Sequence, residues 1–345
     1  MIDEKTKKWL ASFFGPDVRF DEPMSHHTSF RIGGPAAAVV APKRPSDVAT
    51  LLKRAFDEKI PWLVVGGGTN LLVGDDGIDG MVIFIGKGFD RIAQKTSPDG
   101  RPTLTAMAGA SLPGLCSFAA KNGLSGMNFA VGIPGTVGGA VMMNASSSRG
   151  SMDEVMERIQ IIGADGERRT LDKDGYIDFL AGHLKDTQLK DIELKDTELK
   201  DVELKDVEAT DRGFFKAGAD GDKDWNQGII LEVEFALCLS EPGLVKEEAR
   251  MIAAARNKTQ PAGRSAGCFF KNPDNGAPAG QLIEMAGLKG KQVGDARISE
   301  LHANFIMNRK NASANDVVAL MALVQEVVFE KFNVVLEPEV KMVGI

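Results

Sequence analysis

The chain reads as short apolar runs with two different spacings. AAAVVAP (36–42) predicts a strand. PSDVATLLKRAFDEK (45–59) follows with apolar positions Val48, Leu51, Leu52 and Ala55, the spacing of one helix face, and with Ser46 as expected N-cap. WLVVGGG (62–68) and GMVIFI (80–85) are apolar runs broken by glycine, which read as strands. IQIIGADGERRTL (159–171) predicts a hairpin turning at ADG, and IILEVEFAL (229–237) a later strand. Near the end, SANDVVALMALVQEVVFEKF carries Val317, Leu320, Met321, Val324, Val327 and Val328 at helical spacing, with Ser313 or Asn315 as cap. VVLEPEVKMV (334–343) predicts a closing strand. Its alternation sets Glu337, Glu339 and Lys341 on one face and Leu336, Val340 and Met342 on the other, and Pro338 suggests a sheet edge. The predicted class is α+β.

One stretch fits neither period. LKDTQLKDIELKDTELKDVELKDVEATD repeats a five-residue unit with leucine at 184, 189, 194, 199 and 204. Five residues advance about 140° around a helix, which scatters the leucines, and on a strand they alternate faces. The expectation is a solvated low-complexity insertion at 183–211.

Composition narrows the class. At 345 residues the chain exceeds one ordinary core, so two or three domains are expected. No run of eighteen apolar residues is present, and the N-terminal stretch lacks a secretory pattern, so a cytoplasmic protein is expected. Net charge is −7 with no dense basic block, against a nucleic-acid role. The three cysteines, Cys116, Cys238 and Cys268, are widely spaced with no CxxC, which argues against a disulfide framework and a zinc site.

Two glycine-rich loops suggest a ligand. VVGGGTNLLVGDDG places Gly66, Gly67 and Gly68 directly after a strand, where successive N–H groups can cradle a phosphate. Leu71 stands where a GxGxxG dinucleotide fingerprint needs glycine, and the segment continues as strand, so that reading fails. GLSGMNFAVGIPGTVGGAVMMNASSSRG (123–150) carries more glycines than a packed core requires. A dinucleotide in an extended groove accounts for both loops. Glycine-rich turns between strands are the alternative.

SAGCFFKNP (265–273) holds Cys268, whose environment alone is compatible with an inert buried thiol. Here a resemblance adds to the residues. SFRIGGPA, GGGTNLLVGDDGIDG, GLSGMNFAVGIPGTVGGAVMMNA, RNKTQPAGRSAGCFFKNP, AGLKGKQVGDARISELHANFIMN and LEPEV occur in one order. They resemble the UDP-N-acetylenolpyruvoylglucosamine reductases (MurB), and GIPGTVGGAV is closer to the type II branch. The resemblance covers nearly all of the chain apart from the insertion.

It implies a flavoenzyme of peptidoglycan precursor synthesis with an FAD-binding fold of the vanillyl-alcohol-oxidase type. Two α+β subdomains, 1–100 and 101–240 with the insertion, would grip FAD, and 241–345 would close over substrate. NADPH would reduce the flavin, which would pass hydride to C3 of the enolpyruvyl ether while C2 is protonated. Carried over by motif, Cys268 is the proton donor at C2, with Lys271 a possible depressant of its pKa. Glu339 is the catalytic glutamate, with Glu337 competing. Asn272 and Lys271 are substrate contacts.

The family's Tyr-Arg-x-Ser block is absent, and its carboxylate-bracing arginine is carried to Arg212 beyond the insertion. For FAD the resemblance implies Gly66, Gly67, Gly68, Thr69, Asn70 and Leu71 at the pyrophosphate. Pro134, Gly135, Thr136, Gly138, Gly139 and Asn144 would form the second wall, and Arg31 is a weaker candidate. The rivals are an oxidase of the same flavin fold, tethering FAD through His26 or His27, and a non-catalytic flavin-binding relative.

Overall fold

The structure, a computed structural model, describes residues 2–97, 99–185, 228–274 and 276–345. Arg212 and most of the 183–211 insertion lie outside the described residues.

The expected β-α-β start builds the first sheet. Its strands run in the order Val18–Pro23, Pro35–Val40, Ile78–Phe84, Trp62–Val65. The first pair is antiparallel and the rest are parallel. The connecting helix Pro45–Asp57 buries Val48, Leu51, Leu52 and Ala55, the stripe its spacing required. Its cap is not Ser46. Arg44 is the N-cap, and the Asp47 carboxylate accepts from the Arg44 and Lys43 amides. Pro45 at the first helical position moves the cap one residue before it.

The second sheet is antiparallel, in the order Arg168–Asp172, Met156–Ile162, Ile229–Ala236, Pro102–Met107, Ile92–Thr96. The expected hairpin turns at 163–167, where Gly163 donates to Glu167 O at 3.0 Å. Helix Lys173–Lys185 follows it. Tyr176 on that helix is buried, and its hydroxyl donates to Val141 O at 2.8 Å. Helix Pro242–Thr259 returns across the middle of the chain, where Asn128 donates to Val245 O and to the Glu248 carboxylate.

The last third forms a small sheet, Gln292–Val293, Ala296–Ile298 and Ile306–Asn308, covered by helices Ala279–Met285 and Ala314–Phe332. Ser313 caps the longer helix as expected. This core is not self-contained, for Phe30, Ile32 and Leu72 from the N-terminal third are buried in it. Fully burying one such side chain is worth about 1.5–3 kcal/mol.

Polar contacts reinforce the junction. The Asp75 carboxylate accepts from the Ala314 and Asn315 amides at the start of the long helix, Ser29 donates to Ser265 O, and Asn308 donates to Phe30 O. Strand Leu71–Val73, directly after the first glycine loop, pairs in parallel with Lys341–Val343.

The predicted closing strand 334–343 is therefore shorter than its alternation suggested. Only Lys341–Val343 is regular strand. Pro338 cannot donate to a ladder and makes an isolated bridge with Phe270. On either side of it, Lys271 N donates to Glu337 O and Glu339 N to Phe269 O.

Candidate active site

The two glycine loops, widely separated in sequence, meet. A Cβ on Gly67 would come within 2.9 Å of Gly135 Cα, and one on Gly68 (φ +58°) within 2.0 Å of His27 O. Both positions exclude a side chain, and Gly68 also needs the left-handed backbone that glycine adopts without strain. Among the described residues, the amides of Gly66, Gly67, Gly68, Thr69 and Asn70 find no hydrogen-bond acceptor. Consecutive unpaired N–H groups in one turn form an anion cradle. The loop therefore fits a pyrophosphate through its backbone.

The remaining expected cofactor residues divide by what they already do. Asn70 turns its side chain to Glu339 O at 3.1 Å, and its carbonyl accepts from Lys341 N. Leu71 is buried in the N-terminal core. In the second wall, Pro134 and Gly139 are exposed, Thr136 caps helix Val137–Met142, and Gly135 O accepts from Leu112 N. The Gly138 amide is bound to Ala108 O, and Asn144 holds the Asp153 amide. Arg31 is exposed and donates to His26 O. His26 and His27 both face the Glu22 carboxylate, at 3.6 and 2.9 Å.

Beside this groove a cleft of about 330 Å³ brings Cys268, Asn272 and Glu339 together with Gln281, Glu284 and His302. Asn304 builds it. Its buried side chain accepts from Phe270 N and donates to Phe270 O, and Phe269 N donates to Asn304 O. With Glu339 N on Phe269 O, one short segment fixes both the thiol and the carboxylate. The His302 ring accepts from Asn304 N, and burial first, then Lys289, lowers its pKa. Asn272 accepts from Ala279 N.

Glu337 and Glu339 part company here. Glu337 points to solvent and pairs with Lys271 at 3.1 Å, whereas Glu339 lines the cleft. The Glu339 residue is open to solvent in outline, but its carboxylate lies among walls that displace water, and burial raises its pKa.

Cys268 is held as a thiol. Burial, then the Glu339 charge, pushes its pKa up to about 12, against an opposing pull from Arg256. The cation acting on the thiol is thus Arg256 rather than Lys271, whose ammonium is engaged by Glu337.

Arg256 is the functional residue that sequence reading passed over, although it opens the quoted block RNKTQPAGR. Half-buried at the end of helix Pro242–Thr259, it donates to Val131 O beside the second glycine wall and to Gln260, and burial lowers its pKa. Its helical placement was not predicted, and placement is what brings it to the thiol.

A family model for an FAD binding domain matches residues 36–172, the segment that carries both glycine loops. A second, for the UDP-N-acetylenolpyruvoylglucosamine reductase C-terminal domain, matches 259–343, the segment that carries the cleft. A UDP-N-acetylenolpyruvoylglucosamine reductase from Desulfosudis oleivorans is 41% identical over 344 residues, covering 99% of this chain and all of that protein. The chain belongs to this reductase family.

A second member, from Syntrophobacter fumaroxidans, is 37% identical over 95% of this chain and 84% of its own. Among solved structures, the Thermus caldophilus MurB matches with a TM-score of 0.66 at 30% identity, covering 94% of this chain and 97% of that one. The expected fold class, FAD-binding α+β with a MurB C-terminal domain, is thereby shown. Among the described residues no helix is long and apolar enough to cross a membrane, and no cluster of metal-ligating side chains occurs.

Proposed function

We propose that this reductase converts UDP-N-acetylglucosamine enolpyruvate to UDP-N-acetylmuramate in the cytoplasm, with NADPH as reductant and FAD as carrier. The observation that carries the reading is that the Cys268 thiol and the Glu339 carboxylate share a cleft that adjoins a backbone anion cradle.

Bound FAD supplies hydride, taken from NADPH, to C3 of the enolpyruvyl ether. The residues of the chain do the rest. The amides of Gly66 to Asn70 hold the pyrophosphate, and Asn272 and Lys271 meet the substrate at the cleft rim. Hydride addition places an electron pair at C2, next to the substrate carboxylate, and such a centre is more basic than a thiolate. The Cys268 S–H bond breaks, its proton forms the new C2–H bond, and the sulfur keeps the electron pair. Arg256 stabilises that thiolate until solvent returns a proton. Before the transfer, burial and Glu339 keep the donor loaded.

Arg212, the carboxylate-bracing arginine of the sequence reading, would offset the charge that hydride addition places on C2 and the substrate carboxylate. The retained thiol–carboxylate pair distinguishes this reading from a non-catalytic flavin protein.

The test is an anaerobic visible spectrum of purified protein. NADPH should bleach the flavin band, and UDP-N-acetylglucosamine enolpyruvate should restore it. A band that stays bleached after substrate would remove the proposed activity.

A further inference from the structure

Lys341 is an unusual residue in its setting. Its side chain is half-buried, and burial lowers its pKa with no neighbouring charge opposing or adding to the shift. It makes no side-chain hydrogen bond or ion pair with a described residue. Burying an ammonium without an acceptor is costly, so such a group normally faces an anion.

Its backbone says where it faces. Lys341 is level with Leu71 at the first rung of the parallel pair, and its amide donates to Asn70 O. Val340 and Met342 pack into the C-terminal core. Val343, on the same strand face as Lys341, enters the N-terminal core together with Leu71. Lys341 therefore turns toward the glycine-loop side, and Glu339 of the cleft lies two residues before it.

We infer that the Lys341 ammonium lies against the pyrimidine edge of the bound isoalloxazine and stabilises the negative charge that reduction places there. The inference rests on the FAD reading above. Two parts of FAD carry negative charge, the pyrophosphate and the reduced ring. The pyrophosphate is already served by the free amides of Gly66 to Asn70. Lys341 stands on the cleft side of that loop, where the ring must lie for its reacting edge to reach a substrate held at Cys268. Charge placed beside the ring tunes its electronics, which is the protein's contribution in flavin chemistry.

The test compares FAD-loaded wild type, K341M, K341Q and K341R. Midpoint potentials come from equilibrium dye titration, and FAD dissociation constants from flavin fluorescence. The two neutral variants should bind oxidised FAD nearly as wild type but reduced FAD about tenfold more weakly, a drop of about 30 mV in the two-electron potential. K341R should restore the wild-type potential. Equal weakening in both redox states would move Lys341 to the pyrophosphate and overturn the assignment. Unchanged potential and affinity in both neutral variants would also overturn it. Wild-type protein that takes up no FAD would instead remove the flavin reading itself.

Discussion

The glycine cradle and the reacting cleft adjoin, yet they are made of different material. The cradle presents backbone: unpaired amides from Gly66 to Asn70, with two glycines whose missing Cβ atoms let the loops close. The cleft presents side chains: a half-buried thiol, a carboxylate raised by burial, and Arg256 without a carboxylate partner among the described residues. An anion that must only be held needs fixed dipoles, which cost no side-chain entropy to order. A proton that must move needs a group whose charge state its neighbours can set. A second thiol sharpens the contrast. Cys116 is also pushed up to about 12 by burial, but no charged side chain acts on it and it does not line the cleft of Glu339, so burial alone does not make a proton donor.

If the two regions divide the work in this way, damage to one should spare the other. The largest effect is expected from C268A, which should lower kcat by about 10²–10⁴-fold while the protein stays yellow and its flavin is still bleached by NADPH. Full turnover in C268A would break the distinction.

The converse is G68A, where a left-handed backbone and a Cβ 2.0 Å from His27 O leave no room. It should cost about 1–3 kcal/mol and release FAD, measured by flavin retained on gel filtration. A G68A protein that keeps its colour but loses turnover would place Gly68 in the cleft's work instead.

The smallest effect is electrostatic. In a C238S background, which removes the exposed thiol, the pH dependence of Cys268 alkylation reports its pKa. Glu339 raises that value and Arg256 lowers it. The titration should therefore shift to lower pH in E339Q and to higher pH in R256M. Because the thiol titrates near 12, the wild-type rate should show no Cys268-dependent fall between pH 7 and 9. Shifts of the opposite sign would reverse the electrostatic roles of the two side chains.

Much of the fold was legible in the sequence because its signals are local. The stripe of Pro45–Asp57, the hairpin of 159–171 and the Ser313 cap each depend on neighbours within a few residues. The misreadings share a different cause. Ser46 gave way to Arg44 because proline starts the helix two residues earlier than a Ser46 cap requires. The 334–343 alternation was interrupted because Pro338 cannot donate.

In the cleft, Cys268, Asn272 and Glu339 could be named from motif and do lie together. Strand periodicity could not separate Glu337 from Glu339, since the separation is made by Lys271 and by the bridge to Phe270. Arg256 and Asn304 were missed because their parts in the cleft exist only once distant segments meet.

The parallel pairing of Leu71–Val73 with Lys341–Val343 has a kinetic side. Asn70 and Glu339, 269 positions apart, are joined by a hydrogen bond at the edge of the cradle. During synthesis the N-terminal sheet emerges early and can pair at once, whereas this rung must wait for nearly the whole chain. Contacts of such sequence separation form late, because the loop entropy must be overcome before they stabilise anything. The dinucleotide would therefore meet a finished pocket only near the end of folding, and its uptake marks molecules whose last strand has docked.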